Sequence, residues 1–141
     1  MNEFLQCLTS FSKVYKSYLK KYEEIGEKYN LSKSDVKVLA YLSLNKHGDT
    51  GREICEFWGV SKALISRSVE DLFHKNMVAF VPDTQDRRTM RIVLDNESDA
   101  VVEEIKAERR RFKEKLANGI TKEEFEIFMK VLRQMYNNVV E

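Results

Sequence analysis

The sequence predicts a mainly α chain with one small β-hairpin, an α+β arrangement in which long terminal helices flank a compact middle. Three observations lead there. Apolar residues recur at steps of three and four along most of the 141 residues. One proline and five glycines leave few turns. A single stretch, MVAFVPDTQDRRTMRIVL (77–94), sets two short β-type runs around a polar loop.

Each element follows in order. Over 3–28, Phe4, Leu8, Phe11, Tyr15, Tyr18, Tyr22 and Ile25 alternate steps of four and three, the stripe of a helix that requires a partner surface. Ser32 can cap a second helix, with Asp35 closing a capping box. Val36, Leu39, Ala40 and Ser43 form its inward face, and 45–49 ends it in turn chemistry. A short helix is expected over 52–58, then a glycine turn, then a helix over 61–75 stopped by Asn76. Strands over 77–81 and 90–94 follow, with Pro82 at a strand end because it cannot donate to the ladder. Asp95 or Asn96 can cap a long helix to about Leu116, which Asn118-Gly119 breaks. Thr121 and Glu124 form a second capping box for a last helix striped by Phe125, Phe128, Leu132, Met135 and Val139.

Composition narrows the function. No run of about 18 apolar residues occurs, so no membrane span is expected. Glu3, Lys13 and Lys16 interrupt the N-terminal stretch, which does not read as a signal peptide. Two cysteines, Cys7 and Cys55, suit a reducing cytoplasm better than a disulfide scaffold. His47 and His74 lie far apart, so no metal or other cofactor is expected. No nucleophile or base is spaced to join Asp83 and Asp86, so the chain does not read as an enzyme. The net charge is +1, whereas nucleic-acid-binding domains often have a pI above about 9. Any such binding has to come from a local patch.

The stretch ICEFWGVSKALISRSVEDL (54–72) supplies a candidate. Cys55 is small where a second helix would cross the first, Gly59 gives the turn a flexible backbone, and Ile65 anchors the second helix. The outer face of that helix, Lys62, Ala63, Leu64, Ser66 and Arg67, is short-chained except for its two cations. Such a face lets the backbone approach a DNA major groove while Arg67 reaches a base edge or a phosphate. Ser61 and the helix N-terminus can donate to phosphate. The hairpin that follows turns the helix pair into a winged one, its Arg87 and Arg88 suited to a phosphate strand or the minor groove.

With these residues in place, the chain resembles the MarR family of transcriptional regulators from about Leu31 to Leu94, with flanking helices in the same order. The helix-turn-helix stretch carries the likeness, and Asp83, Asp86 and Arg88 meet the family's wing signature D-x-x-D-x-R. The resemblance implies a homodimer on a pseudo-palindromic double-stranded DNA operator, acting as a repressor in the cytoplasm and relieved by a small, often aromatic, ligand. It implies a winged lobe over 31–95 and a helical dimerisation region over 1–30 and 96–141, intertwined as one domain. Phe4, Leu8, Phe125, Phe128, Leu132 and Met135 are then the dimer seam. Phe11, Tyr15, Tyr18 and Tyr22 belong to the same seam or edge an effector pocket, since a buried tyrosine hydroxyl needs a partner. At the wing, Asp83 and Asp86 are expected to hold Arg88, leaving Arg87 to reach DNA and Arg91 in the return strand.

Departures thin the basic footprint. Gln85 stands where many relatives carry a minor-groove arginine, although its position keeps it among the DNA-facing residues. Phe80 and Val81 replace frequent arginines, and Ser68 replaces a usual leucine. The family's Leu-Thr-x-x-Gly is here Leu94-Asp95-Asn96-Glu97-Ser98. Across 50–94 seven cations face six acids. Two alternatives therefore stand beside DNA binding: a winged-helix protein-interaction module, and a redox-sensing regulator acting through Cys7. Arg109-Arg110-Arg111 reads as a solvated helix face.

Overall fold

The computed structural model describes residues 2–140. The chain divides into two compact units, one up to Glu108 and one from Arg109. The first opens with α1 (Glu3–Tyr29), whose Asn2 side chain accepts from the amides of Phe4 and Leu5 at 2.9 and 3.3 Å. It ends at Asn30 in the left-handed region, φ 57°. Next come α2 (Lys33–Leu42), α3 (Gly51–Trp58) and α4 (Lys62–His74). The hairpin pairs β1 (Val78–Pro82) antiparallel with β2 (Met90–Leu94), Val78 opposite Leu94 and Pro82 opposite Met90. A 3₁₀ turn, Asn96–Ser98, leads into α5 (Asp99–Leu116).

The Ser32 box forms as expected: the Ser32 hydroxyl accepts from the Asp35 amide at 3.0 Å, and the Asp35 carboxyl accepts from the Ser32 amide at 3.1 Å. The pattern assigned α2 one inward face. The structure also buries Val38 and Leu42, because α1, α3, α4 and β2 all pack around this helix. Thr50, unremarked in the sequence, caps α3 by accepting from the Glu53 amide at 3.2 Å.

One core unites these elements, and it runs beyond 31–95. Tyr22 and Ile25 of α1 and Val101, Val102 and Ile105 of α5 join Leu39, Ile54, Ile65, Leu72, Val78 and Ile92 in it. The aromatic stripe of α1 is therefore divided. Its last two members are core, whereas Phe4 (69% exposed), Leu8 and Tyr15 are open to solvent. The second unit contains α6 (Lys122–Val139), opened by the Thr121–Glu124 capping box. No residue of α6 is buried. Among the described residues no helix is long and apolar enough to cross a membrane.

Candidate nucleic-acid interface

The helix pair is built around Gly59, at φ +64°, which turns the chain between α3 and α4. Ser61 caps α4, its hydroxyl accepting from the Leu64 amide at 3.2 Å. Ile65, Ser68, Val69 and Leu72 face inward. Ser61, Lys62, Ala63, Ser66 and Arg67 are exposed and Leu64 is half-buried, so the face expected to be open is open. Cys55 is only half-buried; its thiol lies 3.9 Å from the Ser61 carbonyl. The fully buried anchor of α3 is its neighbour Ile54, to which the helix-turn-helix spacing assigns no role. A helical step from Ile54 to the half-buried Trp58 was the available signal.

Ser68 has a local reason to differ from leucine. It is buried against Asp35, itself only 3% exposed. Burial raises the Asp35 carboxyl above the usual range; the Ser32 amide opposes this, Asp71 of α4 adds to it, and the Ser68 hydroxyl lowers it. A serine satisfies a buried carboxyl that a leucine would leave without that donor.

The wing corrects one expectation. Asp83 and Asp86 do shape the tip, but through main-chain groups. The Asp86 amide donates to Asp83 at 3.1 Å, and the Arg88 amide and Thr89 hydroxyl each donate to Asp86 at 3.1 Å. The arginine paired with Asp83 is Arg91, at 3.2 Å, and not Arg88. Strand geometry explains this: with Val81 opposite Arg91, Asp83 and Arg91 become diagonal neighbours on one face of the hairpin. The Asp86 amide, and after it Arg91, hold the Asp83 carboxyl below its ordinary value. Phe80 finds a partner in Phe73 of α4, ring centres 5.3 Å apart.

The near-neutral lobe resolves once its ion pairs are drawn. Arg52 pairs with Glu56 at 3.1 Å, Lys75 with Asp71 at 3.4 Å and Arg91 with Asp83. Among the described residues Lys62, Arg67, Arg87 and Arg88 carry no acidic partner, and all four are exposed. They sit on the first turns of α4 and at the wing tip, beside exposed Gln85.

Of the residues expected at an effector pocket, Tyr22 is core: 2% exposed, packed edge-on to Trp58 and hydrogen-bonded to the Tyr18 hydroxyl at 3.2 Å. Phe11 and Tyr18 are half-buried and Tyr15 is exposed. Among the seam residues Phe4, Leu8, Phe128 and Met135 are exposed, and Phe125 and Leu132 half-buried.

Comparisons with known proteins agree with this geometry. Residues 29–89 match the model of the MarR family. The chain is 32% identical over 102 residues to the HTH-type transcriptional repressor MdtR of Bacillus subtilis (strain 168), an alignment covering 72% of this chain and 64% of that relative. Its fold is similar to that of a MarR-family transcriptional regulator from Silicibacter pomeroyi, with a TM-score of 0.81, 23% identity and 93% and 88% of the two chains covered. It is similar also to MepR of S. aureus, solved as a complex with DNA, at a TM-score of 0.72 and 20% identity over 93% and 96% of the chains. Segment 29–89 thus matches the MarR family model, and the chain is similar in fold to that family's winged-helix regulators.

Proposed function

We propose that the chain is a homodimeric, sequence-specific DNA-binding transcriptional regulator, acting as a repressor in the cytoplasm under the control of a small ligand. The observation that carries DNA binding is the set of four exposed, unpaired cations, Lys62, Arg67, Arg87 and Arg88. Glu56, Asp71 and Asp83 neutralise Arg52, Lys75 and Arg91, and the four remaining cations are left for phosphate and base edges. The α4 N-terminus adds its own positive dipole end to the same place. MdtR is named a repressor and MepR was solved with DNA, which supports the reading.

The test is selection of duplexes of about 30 base pairs from a random pool, followed by anisotropy titration of the recovered sequence. Affinity should fall steeply with salt as counterions are released. Arg67→Ala should cost about 1–3 kcal/mol and relax preference at one base position. Binding no better than to random duplex at physiological salt would refute the proposal.

A further inference from the structure

The contacts of Arg91 at the base of the wing reach further than a strand pair requires. Its Nε donates to the His47 carbonyl at 3.3 Å and an Nη2 hydrogen goes to the Gly48 carbonyl. Nη1 donates to Asp83 at 3.2 Å, and Nη2 lies 3.8 Å from Asp49. One planar guanidinium therefore ties the return strand β2 to the turn between α2 and α3 and to the start of the wing loop. The turn is locked in its own right. Asp49 and Ile92 exchange main-chain hydrogen bonds at 2.7 and 3.0 Å, adding a one-residue third strand to the hairpin. The second Asp49 carboxylate oxygen accepts from the Tyr41 hydroxyl of α2 at 2.6 Å. Tyr41 packs edge-on to Phe57, and Phe57 edge-on to Trp58, so the anchor continues into the aromatic packing on α3. Both carboxylates and the arginine are largely removed from solvent, with side-chain exposures of 16% to 25%. By contrast, the side chains of Arg87 and Arg88 at the tip make no such bonds.

We propose that Arg91 is the positioning residue of the wing: it fixes the hairpin against the α2–α3 turn and so sets where Arg87 and Arg88 stand relative to α4, without itself touching DNA. This rests on the DNA-binding reading for its purpose, but not for its structural content. Only arginine satisfies the site, because its rigid fork reaches two carbonyls and a carboxylate together. A lysine brings the same charge on a single flexible point.

The experiment uses the full chain and Arg91→Lys, with Arg91→Ala as a harsher variant whose folding is checked first. Hydrogen exchange is followed at the amides of Asp83, Thr89 and Ile92, which bond within the wing or to its anchor. In Arg91→Lys these should exchange at least about tenfold faster while α4 amides change by less than about twofold. Against the duplex selected by the wild-type chain, Arg91→Lys should bind about tenfold more weakly. Its logarithmic salt slope should be unchanged, since the loss of a phosphate contact would lower the slope by about one. Wing amides at the wild-type rate would overturn the proposal, as would equal acceleration in α4. Undiminished affinity with a loosened wing would also overturn it, and a shallower slope would make Arg91 a contact instead. If the wild-type chain selects no duplex, the DNA reading fails by itself, and the exchange measurement still decides whether Arg91 fixes the wing.

Discussion

Gly26 shows how far a residue's environment can override its propensity. Alanine is the better helix former by about 1 kcal/mol, and Gly26 lies inside α1. Yet a Cβ there would stand 2.4 Å from the Leu31 carbonyl oxygen, because the chain folds back over Gly26 after the left-handed Asn30. That oxygen is backbone and cannot rotate away. Gly26→Ala should therefore lower stability by roughly 1–3 kcal/mol instead of raising it, as read from a urea midpoint. An unchanged or higher midpoint would show that the α1–α2 junction yields more easily than its contacts suggest. Arg88 and Arg91 make the complementary point about side chains. Both are arginines within five residues of Asp86, and only strand register decides which one Asp83 holds.

At the scale of elements, the wing is coupled to α2 through Tyr41. Burial first, and then the hydrogen bond to Asp49, push the Tyr41 hydroxyl up to about 12 from its ordinary 10.0. The folded state thus favours the protonated phenol. That contribution is complete below pH 10 and is lost as pH rises through about 12, where a phenolate would face the Asp49 carboxylate. Urea midpoints measured from pH 8 to 11.5 should fall at the alkaline end, and Tyr41→Phe should flatten that fall. A wild-type profile no steeper than that of Tyr41→Phe would exclude Tyr41 as the titrating group. The other elements need no such coupling. The caps of α2, α4 and α6 are local, each a hydroxyl accepting from an amide three residues on.

For the whole molecule, apolar residues left outside the core call for a cover. Phe4, Leu5 and Leu8 on α1 are exposed, as are Phe128, Met135 and Val139 on α6. Isolated exposed apolar residues are ordinary, but two helices each carrying such a stripe suit burial against a second copy. The expected outcome is a dimer by light scattering at micromolar concentration, with a melting temperature that rises with concentration. Phe4→Asp and Leu8→Asp together should shift that equilibrium toward monomer. A concentration-independent monomer would refute the dimeric reading.

What the sequence by itself determined was local. Helical period, hydroxyl and carboxyl caps, the Gly59 turn and the β-type runs around 82–89 fixed the elements and their order to within about three residues, because each depends on neighbours in the chain; the largest gap is at α5, where Asp95 caps a 3₁₀ turn before the helix begins at Asp99. The same locality made the outer face of α4 legible, since a helix that buries Ile65, Val69 and Leu72 must expose Ala63, Ser66 and Arg67, while Lys62 is open as the first residue of the helix. Tertiary structure decided everything that depends on a partner distant in sequence. It divided the stripe of α1 into core and open ends, surrounded α2, and buried Ile54 of α3 more deeply than Cys55. It also gave Arg91, which the hairpin register pairs with Asp83, a second set of partners in a turn more than forty residues earlier. Charge shows the division most clearly. Composition reports a lobe near neutrality, but pairing is a matter of distance, and distance left Lys62, Arg67, Arg87 and Arg88 without an acid among the described residues.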